Sequence, residues 1–164
     1  MNFAVRQAVA VPPARAMAAY GSPAFYEGRP ERDDIAVREV VRHEATGDRI
    51  LLEVRMAFIG SVSSAVRAVV DPAKMSWVTR TEILLAEARS NWVVLPDHYP
   101  DRLSASGTYR FAERDERPGS TDVEVEGDLK IRVPIVGRSV ERVIVSGLQA
   151  YIADEVARIP DWEG

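Results

Sequence analysis

From Ser139 to Ile159 the chain carries one long amphipathic repeat, the feature that most restricts how it can fold. Val140, Val143, Ile144, Leu148, Tyr151, Ile152, Val156 and Ile159 recur at steps of three and four. That spacing puts them on one stripe of a helix with about 3.6 residues per turn. Glu141, Arg142, Gln149, Asp154, Glu155 and Arg158 are assigned to the opposite, solvated face. Ser139 is placed to cap the first free N–H groups, and Glu141 sits where the helix dipole favours an anion. Arg158 occupies the last turn, and Pro160 stops the helix because it has no N–H to donate. Burying each large stripe side chain contributes roughly 1.5–3 kcal/mol, as an upper estimate. So long a stripe requires an equally long apolar partner. Gly147 lies on the stripe and costs about 1 kcal/mol in a helix interior. It is expected to mark a close approach of that partner, the alternative being space kept open.

The partner is found upstream, where the hydrophobic period is two. Asn2 to Val11 reads as a strand with Phe3, Val5, Gln7, Val9 and Val11 on one face. Pro12-Pro13 ends it, and two short helices follow, Ala14 to Tyr20 and about Ser22 to Gly28, each opened by a proline in its first turn. Ile35 to His43 and Arg49 to Ile59 form a hairpin about Gly47-Asp48. Val62, Val66, Val69 and Val70 then fall at helical spacing, predicting a short extra helix near 61–71. Strands are expected at Met75 to Leu85, Ser90 to Leu95, Leu103 to Ala112 and Thr121 to Val133. The last alternates without a fault, with Val123, Val125, Leu129, Ile131 and Val133 inward and charged residues outward. The order is strand, two short helices, six strands, long helix. It implies an α+β domain spanning 1–164, with a curved seven-stranded antiparallel sheet wrapped around the C-terminal helix.

Composition excludes several functions. A net charge of −4 disfavours nucleic-acid binding and an electrostatic grip on anionic membranes. Without cysteine there is no disulfide or thiolate chemistry. No apolar run reaches the roughly 18–20 residues of a membrane span, and no signal pattern opens the chain, so a cytoplasmic location is expected. Two histidines and no cysteine give no metal-ligand spacing, and no Walker loop, dinucleotide fingerprint or Gly-x-Ser-x-Gly elbow is present. No metal or cofactor is therefore expected.

The element order resembles the helix-grip fold of the START-like, birch-pollen-allergen superfamily, also called SRPBCC. Gly127 to Glu141, read as GDLKIRVPIVGRSVE, resembles the junction of last strand and last helix in an uncharacterised bacterial branch of that superfamily. Ser22-Pro23-Ala24-Phe25 and Trp77 are similar to the same branch. These motifs are structural, so they point to the fold rather than to a reaction. The resemblance implies an apolar ligand, such as a lipid, sterol or polyketide, held between sheet and helix. Some superfamily members are cyclases, dehydratases or hydrolases.

Three functional expectations follow. The first is binding or carriage of an apolar small molecule in a cavity walled by Phe58, Trp77, Thr79, Thr81, Tyr109, Leu148, Tyr151 and Ile152. The second is a cyclase- or dehydratase-type enzyme. Here Glu39 and His43, about 13 Å apart on one strand face, supply acid or base and Tyr109 orients the substrate. A bulge in that strand would instead shift the parity and leave both in solvent. The third is an interaction module with a filled core, whose valine helix docks a partner or a second copy as a homodimer.

Overall fold

Alternating apolar residues in seven segments generate one antiparallel sheet, and the amphipathic C-terminal segment lies across its concave face. The computed structural model describes residues 1–27, 35–61, 63–68, 70–132 and 137–164. Strand β1 (Asn2–Val9) is followed by helices α1 (Pro13–Tyr20) and α2 (Pro23–Tyr26), then by strands β2 (Ile35–Thr46) and β3 (Arg49–Phe58). A one-turn helix α3 (Ser64–Arg67) and a 3₁₀ turn at Pro72–Lys74 lead into β4 (Ser76–Leu84). Then come β5 (Arg89–Pro96), β6 (Leu103–Glu113), β7 (Thr121–Ile131) and the long helix α4 (Gly137–Ala157).

The sheet order is β1-β7-β6-β5-β4-β3-β2. Neighbouring strands from β2 to β7 are consecutive in the chain, the β3–β4 connection alone carrying α3 and the 3₁₀ turn at Pro72–Lys74, and β1 pairs with β7 to make the remaining edge. The β2–β3 hairpin turns at Gly47, whose φ of 60° suits a residue without a side chain. Inward faces run as expected: Leu52, Val54 and Met56 in β3, Ile83 in β4, Tyr109 and Phe111 in β6, and Val123, Val125 and Leu129 in β7 are buried.

Several boundaries differ from the sequence expectation. Helix α4 begins at Gly137, which puts Ser139 inside its first turn instead of at its cap. Helix α3 is four residues long, shorter than expected. Val62, Val69 and the side chain of Val66, which carried the docking stripe, lie outside the described residues, as do 133–136 and the end of the second short helix. Ser22 takes the cap position of α2 without a side-chain hydrogen bond, and Pro23 occupies the first turn as expected.

Helix α4 packs mainly on β1 and β7, at one end of the sheet. Glu141 Oε1 accepts a hydrogen bond from Ile131 N at 2.9 Å, tying the first turns of α4 to the end of β7. Gln149, read from sequence as solvated, donates from Nε2 to the carbonyl of Ala4 in edge strand β1 at 3.1 Å. Val145, Ile152 and Val156 are buried on the same side of the helix.

A cross-strand row fixes how flat the sheet lies beneath its aromatic residues. Phe3 pairs with Gly127, Gly127 with Gly107, and Gly107 with Trp92. A Cβ at Gly127 would stand 2.5 Å from Phe3 Cζ and 2.8 Å from the Trp92 ring. At Gly107 it would stand 2.0 Å from the Glu126 carbonyl oxygen, a backbone atom that cannot swing aside. The two glycines thus provide the floor on which Phe3 and Trp92 rest, with ring centroids 6.3 Å apart. Gly107→Ala is expected to destabilise the fold by about 1–3 kcal/mol through overpacking. Denaturant unfolding measures this, and an unchanged midpoint would contradict the packing described.

Candidate functional site

Because α4 rests on β1 and β7, the sheet curves away beneath its other side and leaves a space. That space is a cavity of about 420 Å³ between α4 and strands β3 to β6. Two rulers give its length. Val143 to Glu155 on α4, both in the wall, spans about 18 Å at 1.5 Å per residue. Leu103 to Tyr109 on β6, also both in the wall, spans about 20 Å at 3.4 Å per residue.

Most of the wall is apolar. Phe58 comes from β3, Trp77, Thr79 and Thr81 from β4, Tyr109 from β6, and Leu148, Tyr151 and Ile152 from α4. All eight residues chosen from the sequence as a cavity wall therefore border this one space. Ile144, Leu148 and Tyr151 lie on the inner stripe yet are only half-buried, because they face the cavity. Gly147 lies on the cavity wall too, although a close approach was expected of it. Thr79 is engaged within the wall: its Oγ1 accepts from Trp77 Nε1 at 3.2 Å and lies 3.5 Å from Met56 Sδ.

The inner end is polar, and its principal residue was misplaced by the sequence reading. Glu155 is only 3% exposed and lines the cavity, where the solvated face had been assigned. Its Oε2 accepts a 2.8 Å hydrogen bond from the hydroxyl of Tyr109. The stripe itself carried the signal, since Leu148, Ile152, Glu155 and Ile159 follow steps of four, three and four. Around the pair stand Tyr20 from α1 and Tyr26 from α2, neither anticipated, because two short helices give no periodicity long enough to read. Tyr20 lies against Tyr109 with ring centroids 4.5 Å apart, and the Tyr26 hydroxyl donates to the Tyr20 carbonyl at 3.2 Å.

Burial pushes the Tyr20 hydroxyl well above the ordinary tyrosine range, and the negative charge of Glu155 pushes it further. Contacts with the hydroxyls of Tyr109, Thr81 and Ser90 oppose this only in part. Tyr109 is raised by the same two causes, burial first. Both stay neutral and act as hydrogen-bond groups, not as bases. The buried Ser90 hydroxyl and the indole N–H of Trp92, a wall residue, have no hydrogen bond of good geometry among the described residues.

Glu39 and His43 do not belong to this site. The β2–β3 register shifts between Val37 and Glu39 and again between Val40 and Arg42. The first shift turns Glu39 opposite Arg55, with which it forms an exposed ion pair at 3.3 Å. His43 comes opposite the buried Leu52, but β2 is the sheet's far edge and is exposed from Val41 to Thr46. The acid–base pair expected on β2 is thus replaced by solvated residues, and only Tyr109 of that trio faces the cavity. The interior is also not the filled core of the third expectation.

The outer end is formed by the 3₁₀ turn, the β5–β6 loop and the first turns of α4. Lys74, His98 and Arg102 line it, with Tyr99 beneath the Arg102 guanidinium at 5.2 Å. Val143, a stripe residue, is 67% exposed here.

Comparison with known proteins is informative about fold. Residues 4–162 match the family model described as "Protein of unknown function (DUF2505)". No curated protein sequence matches the chain. A START superfamily protein from Mycobacterium smegmatis superposes with a TM-score of 0.59 at 15% identity, covering 98% of this chain and 97% of that one. The Zhui aromatase/cyclase from Streptomyces sp. R1128 gives 0.58 at 15% identity, covering 97% and 95%. Norcoclaurine synthase from Thalictrum flavum gives 0.59 at 14% identity, covering 97% and 85%. At such identities the likeness is one of fold: the helix-grip architecture of the START superfamily.

The buried tyrosines make a pH prediction. Tyrosines of the unfolded chain ionise near pH 10 (about the model-peptide value), whereas Tyr20 and Tyr109 in the fold ionise only at higher pH. Above that point the unfolded state releases protons that the folded state keeps, so stability falls as pH rises. Phenolate absorbance of Tyr20 and Tyr109, isolated by single Tyr→Phe variants, should appear together with loss of circular dichroism. Their ionisation near pH 10 in an intact fold would contradict this environment.

Proposed function

The chain belongs to the DUF2505 family of proteins of unknown function, and from its cavity we propose that it binds and carries an apolar small molecule, lipid-, sterol- or polyketide-like, between the sheet and α4. The observation that supports this reading is the cavity itself. Its volume of about 420 Å³ falls within the range of small-molecule sites, and its wall is mainly apolar with a few convergent polar groups. At roughly 24 cal/mol per Å³ of void, leaving such a space dry would forgo on the order of 10 kcal/mol of packing. That is comparable with the whole net stability of a domain, about 5–15 kcal/mol. A chain selected for stability alone would close the space with larger side chains. The likeness to an aromatase/cyclase and to a START superfamily protein supports a ligand-binding or cyclase-like role at this coarse level.

Native mass spectrometry of the purified chain, followed by solvent extraction, should recover an apolar compound. Leu148→Trp fills the middle of the cavity from α4. It is expected to lower affinity for an environment-sensitive apolar dye by at least about tenfold while changing stability by less than roughly 1.5 kcal/mol. Unchanged dye binding in this variant would place the dye elsewhere and remove the proposal's support.

The Tyr109–Glu155 pair favours a second reading, a cyclase- or dehydratase-type reaction at the inner end of the same cavity. A neutral phenol whose proton is given to a carboxylate keeps its acceptor lone pairs and can orient a hydroxyl of a substrate. If the recovered compound is converted on incubation, Tyr109→Phe should slow conversion by roughly 100-fold or more with binding retained. Conversion at an unchanged rate would leave carriage as the function.

A further inference from the structure

The ionisable side chains of the wall are divided between its two ends. Among its described wall residues the cationic side chains, Lys74 and Arg102, and the one histidine, His98, stand at the outer end. The one carboxyl group in the wall, Glu155, stands at the inner end, about 18 Å away along α4. Two of the acidic groups near Lys74 in the fold have hydrogen-bond partners of their own. Asp71 accepts from Ala73 N at 3.0 Å to cap the 3₁₀ turn. Asp97 binds Arg55 Nη1 at 2.6 Å and Ser76 Oγ at 2.7 Å. Lys74 itself makes no ion pair among the described residues.

We infer that the cavity's ligand is an amphipathic anion, an apolar chain lying along α4 with one carboxylate or phosphate head held at the mouth by Lys74, His98 and Arg102. The inference deepens the carriage reading and rests on it. Three physical arguments converge. A charged head left at the mouth keeps most of its hydration, whereas burial at the inner end would strip it. At the inner end it would also meet another carboxyl group, Glu155, at the mouth two cationic side chains. The wall between, from Val143 through Ile144 and Leu148 to Ile152, offers an apolar chain its contacts. Polarity thus fixes direction: head outward, tail toward the tyrosines.

The experiment uses the full chain stripped of bound compound and loaded with an apolar fluorescent dye. Palmitate, hexadecyl phosphate, hexadecanol and hexadecylamine, each below its aggregation concentration, compete for the site. Palmitate, hexadecyl phosphate or both should displace the dye at roughly three- to tenfold lower concentration than hexadecanol, with the amine weakest. Which anion wins separates a carboxylate from a phosphate head. The preference should shrink at high salt. Lys74→Glu, at an exposed position, should abolish the anion preference and leave hexadecanol unchanged. Equal competition by palmitate, hexadecyl phosphate and hexadecanol, or an anion preference that survives Lys74→Glu, would overturn the inference while leaving carriage intact. Failure of all four to displace the dye, with nothing extractable from the purified protein, would remove both.

Discussion

Contact between α4 and one end of the sheet is the constraint on which the remainder of the structure depends. The helix is seated on β1 and β7 by Val145, Ile152 and Val156 and held there by two polar ties, Glu141 to Ile131 N and Gln149 to the Ala4 carbonyl. Strand twist carries β3, β4 and β5 around the far side of the helix. Side chains that would fill the gap are too small or point along the wall: Thr79, Thr81 and Ala105 on the sheet, Gly147 on the helix. A ligand-sized space is therefore a consequence of where the helix sits.

The inner end shows how a carboxyl group is kept in such a place. Glu155 takes a hydrogen bond from Tyr109, Tyr109 is covered by Tyr20, and the Tyr20 carbonyl is bound by Tyr26. The arrangement joins α4, β6, α1 and α2. The short helices after β1 thus serve as the cavity's inner plug, and their tight sequence, with Gly21 between them, brings both tyrosines to one point. Hydroxyl groups held neutral there can read the polarity of whatever reaches them without adding charge to an apolar space.

Much of this was legible in the residues, and the failures are instructive. Strand faces followed from period-two alternation wherever a strand ran between two neighbours, as in β3, β4, β6 and β7, because burial on one side enforces strict parity. β2 is an edge, and edges tolerate bulges, so its parity could not be counted through from Val37 to His43. Glu39 was lost for that reason. Glu155 is a different case: its residue type suggests solvent, whereas its spacing between Ile152 and Ile159 places it on the stripe. The cationic mouth could not be seen at all, because Lys74, His98 and Arg102 come from two connections that meet only in the folded sheet.

The central claim, that the helix stands off a curved sheet around an accessible apolar space, is tested most directly with xenon, which enters such spaces without needing a chemical match. Methyl-resolved NMR of the ligand-free chain under xenon pressure should show saturable shifts at Ile144, Leu148 and Ile152, while Val9 and Val11, buried but outside the wall, stay fixed. Shifts that are absent or unsaturable at those helix methyls would mean that α4 lies packed against the sheet, and the account would be wrong.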